Sequence, residues 1–302
     1  MQKVGSVTDT ADQNGEFTNG NVAQGVVPTV LLAEIFNTWQ RELVNVVEGS
    51  GMTLDPNDYG QILKAINKSV GGGRLLRTSI YTKEGSNQYV SIDGNAATQS
   101  QSTQFTALSG TKFVEIECQG GGAGGGGVLA DGANPAVAGG GGAGAYGLGH
   151  FSSGFSSLLI TVGAGGAGGP IGNNYGLPGA GSSAGDLIVA PGGYAGKGGA
   201  PTVPPFINGG SAYSDDSTGG NIHQIHGGNG GYGIAIGSLN AAGGAGGTSK
   251  FGAGAPNTSN RPGFPARNYG AGGAGAGAYS TESSGFAGGD GYPGIVIIRE
   301  YS

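Results

Sequence analysis

Glycine is concentrated in seven runs after residue 119, and this distribution constrains the fold more than any other feature of the chain. Glycine supplies 71 of the 302 residues, and only 13 of them lie before residue 119. Its usual share is about 7%, so this is not the composition of an ordinary globular domain. The runs occupy Gly120–Gly127, Gly139–Gly144, Gly163–Gly169, Gly192–Gly199, Gly227–Gly233, Gly243–Gly247 and Gly270–Gly277.

Short apolar segments between the runs indicate that this region folds. They are Leu158–Val162, Leu187–Val189 and Ile295–Ile298. A disordered glycine linker would leave these side chains in water, which is unfavourable. Because each segment is a continuous apolar run, we expect strands that are buried on both faces.

A bundle of polyglycine II helices would offset the conformational entropy that glycine loses on folding, about 0.5–1 kcal/mol more than alanine. Such extended helices rise about 3.1 Å per residue and have no internal hydrogen bonds, so closely packed neighbours can pair their backbone groups. Collagen is disfavoured because the strict three-residue period is missing and only 13 residues are proline. We therefore predict a mainly β and irregular fold, with a glycine-rich β plus polyglycine II-like bundle over residues 111–302.

The first 73 residues are predicted to form a small helical segment of their own. Residues 1–27 are polar and turn-rich, and indicate an extended arm with few fixed contacts. From Pro28, apolar residues recur at three- and four-residue spacing and predict an amphipathic helix. Asp55 as N-cap and Pro56 at the first helical position predict a second helix. Two helices bury little surface, so we expect a partner, or copies of the chain, to complete this core.

Residues 74–110 are predicted to be a short β connector. Leu75–Tyr81 and Tyr89–Ile92 are expected to be strands on either side of a polar turn. In the next strand, residues 112–118, apolar residues alternate with two glutamates, which is typical of a half-buried strand. Cys118 is then a small core residue rather than a reactive thiol.

Motifs along most of the chain carry a family resemblance. They are Lys3–Ser6, Asn14–Thr18, Glu48–Pro56, Gln61–Ile66, Phe113–Gln119, Gly144–Tyr146, Ile160–Gly166, Gly246–Gly252 and Gly294–Tyr301. The N-terminal motifs resemble those of Mu-like and prophage tail-fibre proteins, and the later ones are similar to the glycine-rich domain of phage fibres. More distantly, the glycine region resembles the tip adhesins of T-even-like phages, which show a polyglycine sandwich with variable loops.

The resemblance implies a homotrimeric, non-enzymatic fibre that attaches a virion to a bacterial host. Residues 1–70 would bind a phage tail or baseplate protein, and the C-terminal region would bind a surface receptor: lipopolysaccharide, capsule or an outer-membrane protein. The sequence shows no export signal and no apolar stretch of 18 residues. We therefore expect synthesis in the host cytoplasm and release with the virion at lysis. The net charge of −6 disfavours nucleic acid as a partner.

Motifs that could carry chemistry are weak. Gly163–Gly168 fits the pattern G-x-G-x-x-G after a strand, but Gly169-Pro170 cannot begin the helix that a dinucleotide site needs. His223 and His226 make only half of a metal-ligand set. No Ser-His-Asp or Cys-His arrangement has a recognisable local context. We expect no catalytic residues, no metal and no cofactor.

Two long interruptions of the glycine runs are the best candidates for receptor binding. They are rich in proline, aromatic and arginine residues, which stiffen loops or favour binding hot spots. The candidate residues are Phe206, Ile207, Tyr213, Asp215, His223 and His226 in the first loop and Arg261, Phe264, Arg267 and Tyr269 in the second. The alternative is that their aromatic residues merely cap the ends of the bundle.

Two other functions fit the sequence less well. A structural spacer of the fibre or baseplate would have monotonous repeats, whereas these loops are irregular. A polysaccharide depolymerase needs paired carboxylates, which need not be close in sequence. Such fibres are typically larger and less rich in glycine.

Overall fold

The structure, a computed structural model, describes residues 2–69, 73–99, 104–211 and 214–302. The chain divides into two compact units, Met1–Arg74 and Leu75–Ser302. The second unit is built from strands and irregular backbone, so the prediction of a mainly β and irregular fold is confirmed. Neither helix in the described part of the chain has the length and apolarity needed to span a bilayer.

The first unit contains helix α1 (Ala33–Gly49) and helix α2 (Gln61–Ser69), preceded by the short 3-10 turns Val4–Ser6 and Val22–Gln24. Ile35 and Val47 of α1 and Ala65 of α2 are buried. The large apolar residues on the rest of the stripe remain substantially exposed within one chain; they are Phe36, Trp39, Leu43, Val46, Ile62, Leu63 and Ile66. That a partner or further copies cover them stays a prediction.

Expectations for the arm and for the start of the first helix were wrong. The arm over residues 1–27 makes more fixed contacts than the few expected, since the Val30 amide donates to the Thr10 hydroxyl at 2.7 Å and the Thr29 amide to the Thr18 carbonyl at 2.9 Å. These bonds tie Thr29 and Val30 to the arm, Leu32 is extended, and α1 begins at Ala33 rather than at Pro28.

The second helix also begins later than predicted. Asp55 does not cap it but accepts the Asn57 amide two residues on, and Asp58 likewise accepts the Gly60 amide, so both side chains form local turns. Such side-chain bonds compete with helix formation. The Gln61 side-chain oxygen accepts the Asp55 amide at 2.8 Å, and the helix starts at Gln61.

Sixteen strands are found in the described part of the second unit. They are β1 (Leu75–Glu84), β2 (Asn87–Ile92), β3 (Thr98–Gln99), β4 (Gln104–Thr106), β5 (Phe113–Gln119), β6 (Ala136–Val137), β7 (Tyr146–Phe151), β8 (Ser157–Thr161), β9 (Ser182–Ala184), β10 (Ile188–Ala190), β11 (Phe206–Asn208), β12 (His223–Ile225), β13 (Gly233–Gly237), β14 (Asn240–Ala242), β15 (Gly277–Ala278) and β16 (Ile295–Tyr301).

Two of the sheets share one hydrophobic core. The larger has the order β12-β7-β5-β16-β1-β2-β3 and the smaller the order β10-β9-β8-β4. Ile116 and Ile298 from the first sheet pack with Phe105, Ile160 and Ile188 from the second. Residues 74–110 therefore supply strands to the same sheets as the glycine-rich region, since β1 pairs with β16 and β4 with β8.

Burial of the apolar strands differs from the prediction in two of three cases. In β16, residues 295–298 are all buried, as expected. In β8 and β10 burial alternates, and Leu159 and Val189 are exposed. These two strands belong to the smaller sheet, which has one face on the core and one in water, a common arrangement for antiparallel sheets.

The glycine runs form the predicted polyglycine II-like bundle. Successive amides of run 120–127 donate to three different runs in rotation: Gly120 to Ala145, Gly121 to Ala180 and Gly122 to Tyr292, all at 2.9 Å. The cycle then repeats with Ala123, Gly124 and Gly125. This three-residue repeat is that of a polyglycine II helix.

Six neighbours surround run 120–127. Its amides donate to the runs 139–145, 174–180 and 286–292, and its carbonyl groups accept from the runs 166–172, 193–199 and 273–276. Glycine is required because a Cβ on Gly125 would collide with the Ala274 carbonyl oxygen. Backbone pairing between runs thus replaces the side-chain core of an ordinary domain.

Candidate functional site

The two ends of the bundle carry different sheets. At the strand end, runs 120–127, 139–145 and 286–294 continue directly into β5, β7 and β16. In this sheet Leu75 lies opposite Tyr301 and Tyr81 opposite Val296. The chain therefore enters the second unit on the side of the sheet away from the bundle, and the opposite end of the bundle is the part most remote from that entry.

The far end of the bundle carries a separate three-stranded sheet with the order β11-β13-β14. Asn208 fixes it to the bundle, because its Nδ2 donates to the carbonyl groups of Val137 and Gly198, both at 2.7 Å. Ala235 and Ala241 of this sheet pack against Val137. The inner face is built from small residues because it rests on closely packed backbone.

The outer face of the same sheet is apolar and exposed. Ile207 of β11 lies opposite Ile234 of β13, so both side chains point to the same side. We call the exposed group of Ile207, Tyr232, Ile234, Ile236 and Leu239 the far-end face; their exposed fractions are 67%, 67%, 45%, 64% and 59%. Clustered exposed apolar residues on a soluble domain mark interaction sites more often than single ones do.

Charge is missing from the chain segments that form the far-end face. Residues 200–211 and 228–248 contain no Asp, Glu, Lys or Arg. Proline stiffens the approach to β11, and the Pro204-Pro205 peptide bond is cis. The face is therefore suited to contacts that are apolar rather than ionic.

A lateral groove lies on the side of the bundle. It has a volume of about 370 Å³. The residues that line this lateral groove are Ala253, Gly254, Ala255, Pro256, Phe264, Pro265, Arg267 and Asn268. The Arg261 guanidinium lies over the Phe264 ring at 5.5 Å from its centroid.

The glycine-rich domain family matches residues 96–301, about two-thirds of the chain. The chain belongs to the glycine-rich domain family. No curated protein matches it.

Within the glycine-rich domain, the candidate residues predicted from sequence do not converge on one site. Ile207 is part of the far-end face, and Phe206 is half-buried beneath it. Phe264 and Arg267 line the lateral groove, with Arg261 beside it. Tyr213 lies outside the described residues.

The other four candidates lie towards the strand end. His223 is exposed in β12, opposite Leu148 of β7. His226 is also exposed, and its Nδ1 lies 3.0 Å from the Gly227 carbonyl oxygen. Asp215 accepts the Tyr194 hydroxyl at 3.1 Å, and this hydrogen bond raises the pKa of Tyr194.

Tyr269 is the half-buried centre of an aromatic cluster at the strand end. Its ring meets those of Phe251 and Tyr292 edge-on, with centroids 6.4 and 5.5 Å away. Phe251 in turn contacts the buried Tyr146. Burial, and then the hydrogen bond of its hydroxyl to Glu117, raise the pKa of Tyr146. Tyr269 thus packs at the end of the bundle, as the alternative interpretation of the loop aromatics describes.

The amides of the glycine motif at residues 163–168 take part in the packing of the bundle. In Gly163–Gly168, the Gly166 amide donates to the Gly122 carbonyl and the Gly168 amide to the Asp290 carboxylate. These amides are therefore not free to bind phosphate. Among the described residues, no group of three His, Cys, Asp or Glu side chains is placed to hold a metal ion.

Sequence reasoning missed most of the far-end face. Tyr232 lies within the run Gly227–Gly233, and Ile234, Ile236 and Leu239 lie between that run and the next. All four are outside the loops chosen for their proline and arginine content. The alternation Gly233-Ile234-Ala235-Ile236-Gly237 was a usable signal for a strand with one small and one large face. Its usual interpretation would bury the isoleucines, whereas the structure buries glycine and alanine.

Proposed function

We propose that this chain is a bacteriophage tail-fibre adhesin, without enzymatic activity, and that the far-end face contacts the bacterial host. The observation that supports this is the exposure of five large side chains on and beside an uncharged sheet: Ile207, Ile234 and Ile236 in its strands, and Tyr232 and Leu239 on either side of β13. This sheet stands at the end of the bundle most remote from the entry of the chain at Leu75. Burial of such side chains on binding is favourable, at about 25 cal/mol per Å² of apolar surface.

The bundle supports the face mechanically. Asn208 joins β11 to Val137 of β6 and to Gly198 of run 192–199 through its side-chain amide. Gly233 of β13 lies so close to Val137 that a Cβ there would crowd it. A face that is already fixed in the free protein loses little conformational entropy on binding. This favours an adhesin over a flexible linker.

In this proposal the first unit attaches the chain to the particle. Residues 1–70 bind a phage tail or baseplate protein, and the chain works as a homotrimer in the virion. The receptor is lipopolysaccharide, capsule or an outer-membrane protein on the bacterial surface. A pure spacer is the competing function, but a spacer has no need for an exposed apolar sheet.

Binding of the full-length chain to bacterial cells tests the proposal. A fluorescent derivative is titrated onto a panel of strains, and the double variant Ile234→Ser with Ile236→Ser is compared with Leu159→Ser. Leu159 is the matched control because it is also an apolar strand residue, 61% exposed, but lies in β8 of the four-stranded sheet. We expect strain-selective binding that the double variant weakens at least tenfold and the control leaves unchanged.

Two results would count against the proposal. If the double variant binds as well as the wild type, the far-end face is not the contact. If the wild-type protein binds no strain of a broad panel, the spacer function is favoured. Sugar release from purified envelope would instead indicate a depolymerase.

A further inference from the structure

The walls of the lateral groove are two outer runs of the bundle. Ala255 donates its amide to Gly272 at 3.1 Å, and the Ala274 amide donates to Phe264 at 3.0 Å. Both walls are thus hydrogen-bonded to the same inner run, 270–277. The first wall travels towards the far end and the second returns from it, so they lie side by side in opposite directions.

The inner run, residues 270–277, has hydrogen-bonded neighbours on all sides. Run 270–277 exchanges backbone hydrogen bonds with residues 123–126, 138–144, 244–247 and 289–292, and with Ala255 and Phe264 of the two walls. The two walls are members of this ring, and their other side is exposed to solvent. A further extended helix laid along the groove between them would occupy the next position of the same packing, with a rise of about 3.1 Å per residue.

Side chains in the groove have the chemistry that recognises such a helix. Phe264, Pro256 and Pro265 supply apolar and aromatic surface. Grooves lined by aromatic residues are the usual docking sites for polyproline II segments, whose preformed shape lowers the entropy cost of binding. A sugar fits less well, because Arg267 and Asn268 are the only polar side chains in the lining, and Asn268 Nδ2 already donates to Ala253 at 2.8 Å.

Arg267 makes the groove complementary to an occupant with a negative charge. Its side chain is exposed at the groove, and none of the described carboxylates forms an ion pair with it. A guanidinium binds a carboxylate through charge-assisted hydrogen bonds. An occupant with an acidic side chain near Arg267 is therefore complementary to the groove.

We propose that the lateral groove binds a proline-rich segment of a partner protein, in polyproline II conformation and carrying an acidic residue. The site is distinct from the far-end face and does not depend on the proposed function. It gives the glycine-rich domain a second contact, on its side rather than at its end.

Titration of the full-length chain with labelled peptides tests this proposal. The probe is a Pro-Pro-Asp repeat peptide followed by fluorescence anisotropy. A Pro-Pro-Lys repeat is the charge control, and a flexible Gly-Ser-Asp repeat of equal charge is the shape control. We expect the Pro-Pro-Asp peptide to bind at least tenfold more tightly than either control.

Variants locate the site. Arg267→Gln is expected to weaken Pro-Pro-Asp binding about tenfold, because it removes a charge-assisted contact. Lys112→Gln, which removes one exposed positive charge elsewhere, is expected to leave it unchanged. The proposal is overturned if the Pro-Pro-Asp peptide does not bind, if either control peptide binds equally well, or if Arg267→Gln binds as the wild type does. No cells are involved, so failure here is separate from failure of the adhesin proposal.

Discussion

The Arg77 guanidinium forms an ion pair with the fully buried carboxylate of Glu300 and so joins β1 to β16. Glu300 also accepts the Leu108 amide at 2.7 Å and the Thr111 hydroxyl at 3.1 Å. Arg77 lies over the Phe105 ring, 5.4 Å from its centroid. The pair therefore couples the first strand of the second unit to the last, over more than two hundred residues of chain.

Removing the Arg77 charge should destabilise the second unit strongly. Arg77→Met leaves the Glu300 carboxylate buried without its cation, and the loss of one partner of a buried pair costs about 3–5 kcal/mol. The free energy of unfolding from urea titration measures this. Arg77→Met combined with Glu300→Gln keeps an acceptor for the Leu108 amide but buries no charge, so we expect it to be more stable than Arg77→Met alone. Equal stability of the two variants would show that the charge is not the cause.

Adding a single methyl group inside the bundle should lower the free energy of unfolding about as much as Arg77→Met does. Gly125→Ala points a Cβ at the Ala274 carbonyl oxygen, which is fixed backbone and cannot rotate away. We expect a loss of about 3 kcal/mol or more in the free energy of unfolding. Gly237→Ala is the matched control, because a Cβ there meets only ordinary van der Waals contact. If the two substitutions cost the same, close backbone packing does not explain the glycine content.

The bundle was predictable from sequence, but its internal arrangement was not. Fifty or more glycines beside apolar strands leave few folded alternatives, and extended helices paired through backbone are one of them. Which run lies beside which depends on contacts such as Gly122 with Tyr292, which are far apart in sequence. Runs of nearly identical residues carry no information that distinguishes one neighbour from another.

The far-end face illustrates a second limit. Periodicity in residues 233–237 identifies a strand, yet which side faces inward depends on what that strand rests on. Here it rests on packed backbone near Val137, where only small side chains fit. A local hydrogen bond made the prediction at Asp55 wrong, because its side chain accepts the Asn57 amide and forms a turn rather than capping the second helix.

Cys118 should be inert in the folded protein. Its side chain is fully buried, which confirms that it is a core residue, and burial raises the pKa of the Cys118 thiol to about 12. A thiol reagent at pH 8 should therefore react only after denaturation. Rapid reaction of the native protein would contradict the burial.

The raised pKa of Cys118 also predicts a dependence of stability on pH. Below about pH 9 the thiol is protonated in both states. Between about pH 9 and 12 the unfolded state loses the proton and the folded state keeps it, so stability falls as pH rises. The slope approaches about 1.4 kcal/mol per pH unit for one group. Tyrosines titrate in the same range, so the comparison is with Cys118→Ala, which should show a shallower fall above pH 9.

Amide hydrogen exchange should reveal the bundle directly. The amides of run 120–127 are buried and each donates to another run, as Gly122 does to Tyr292 and Gly125 to Gly289, both at 2.9 Å. Breaking one bond requires neighbouring runs to separate, so we expect these amides to exchange only when the whole unit opens. Residues 152–154, in the exposed turn after β7, should exchange within seconds. Peptide-resolved mass spectrometry measures both in one sample. Fast exchange throughout run 120–127 would mean that the glycine segments are solvated, and it would remove the rigid support on which the adhesin proposal depends.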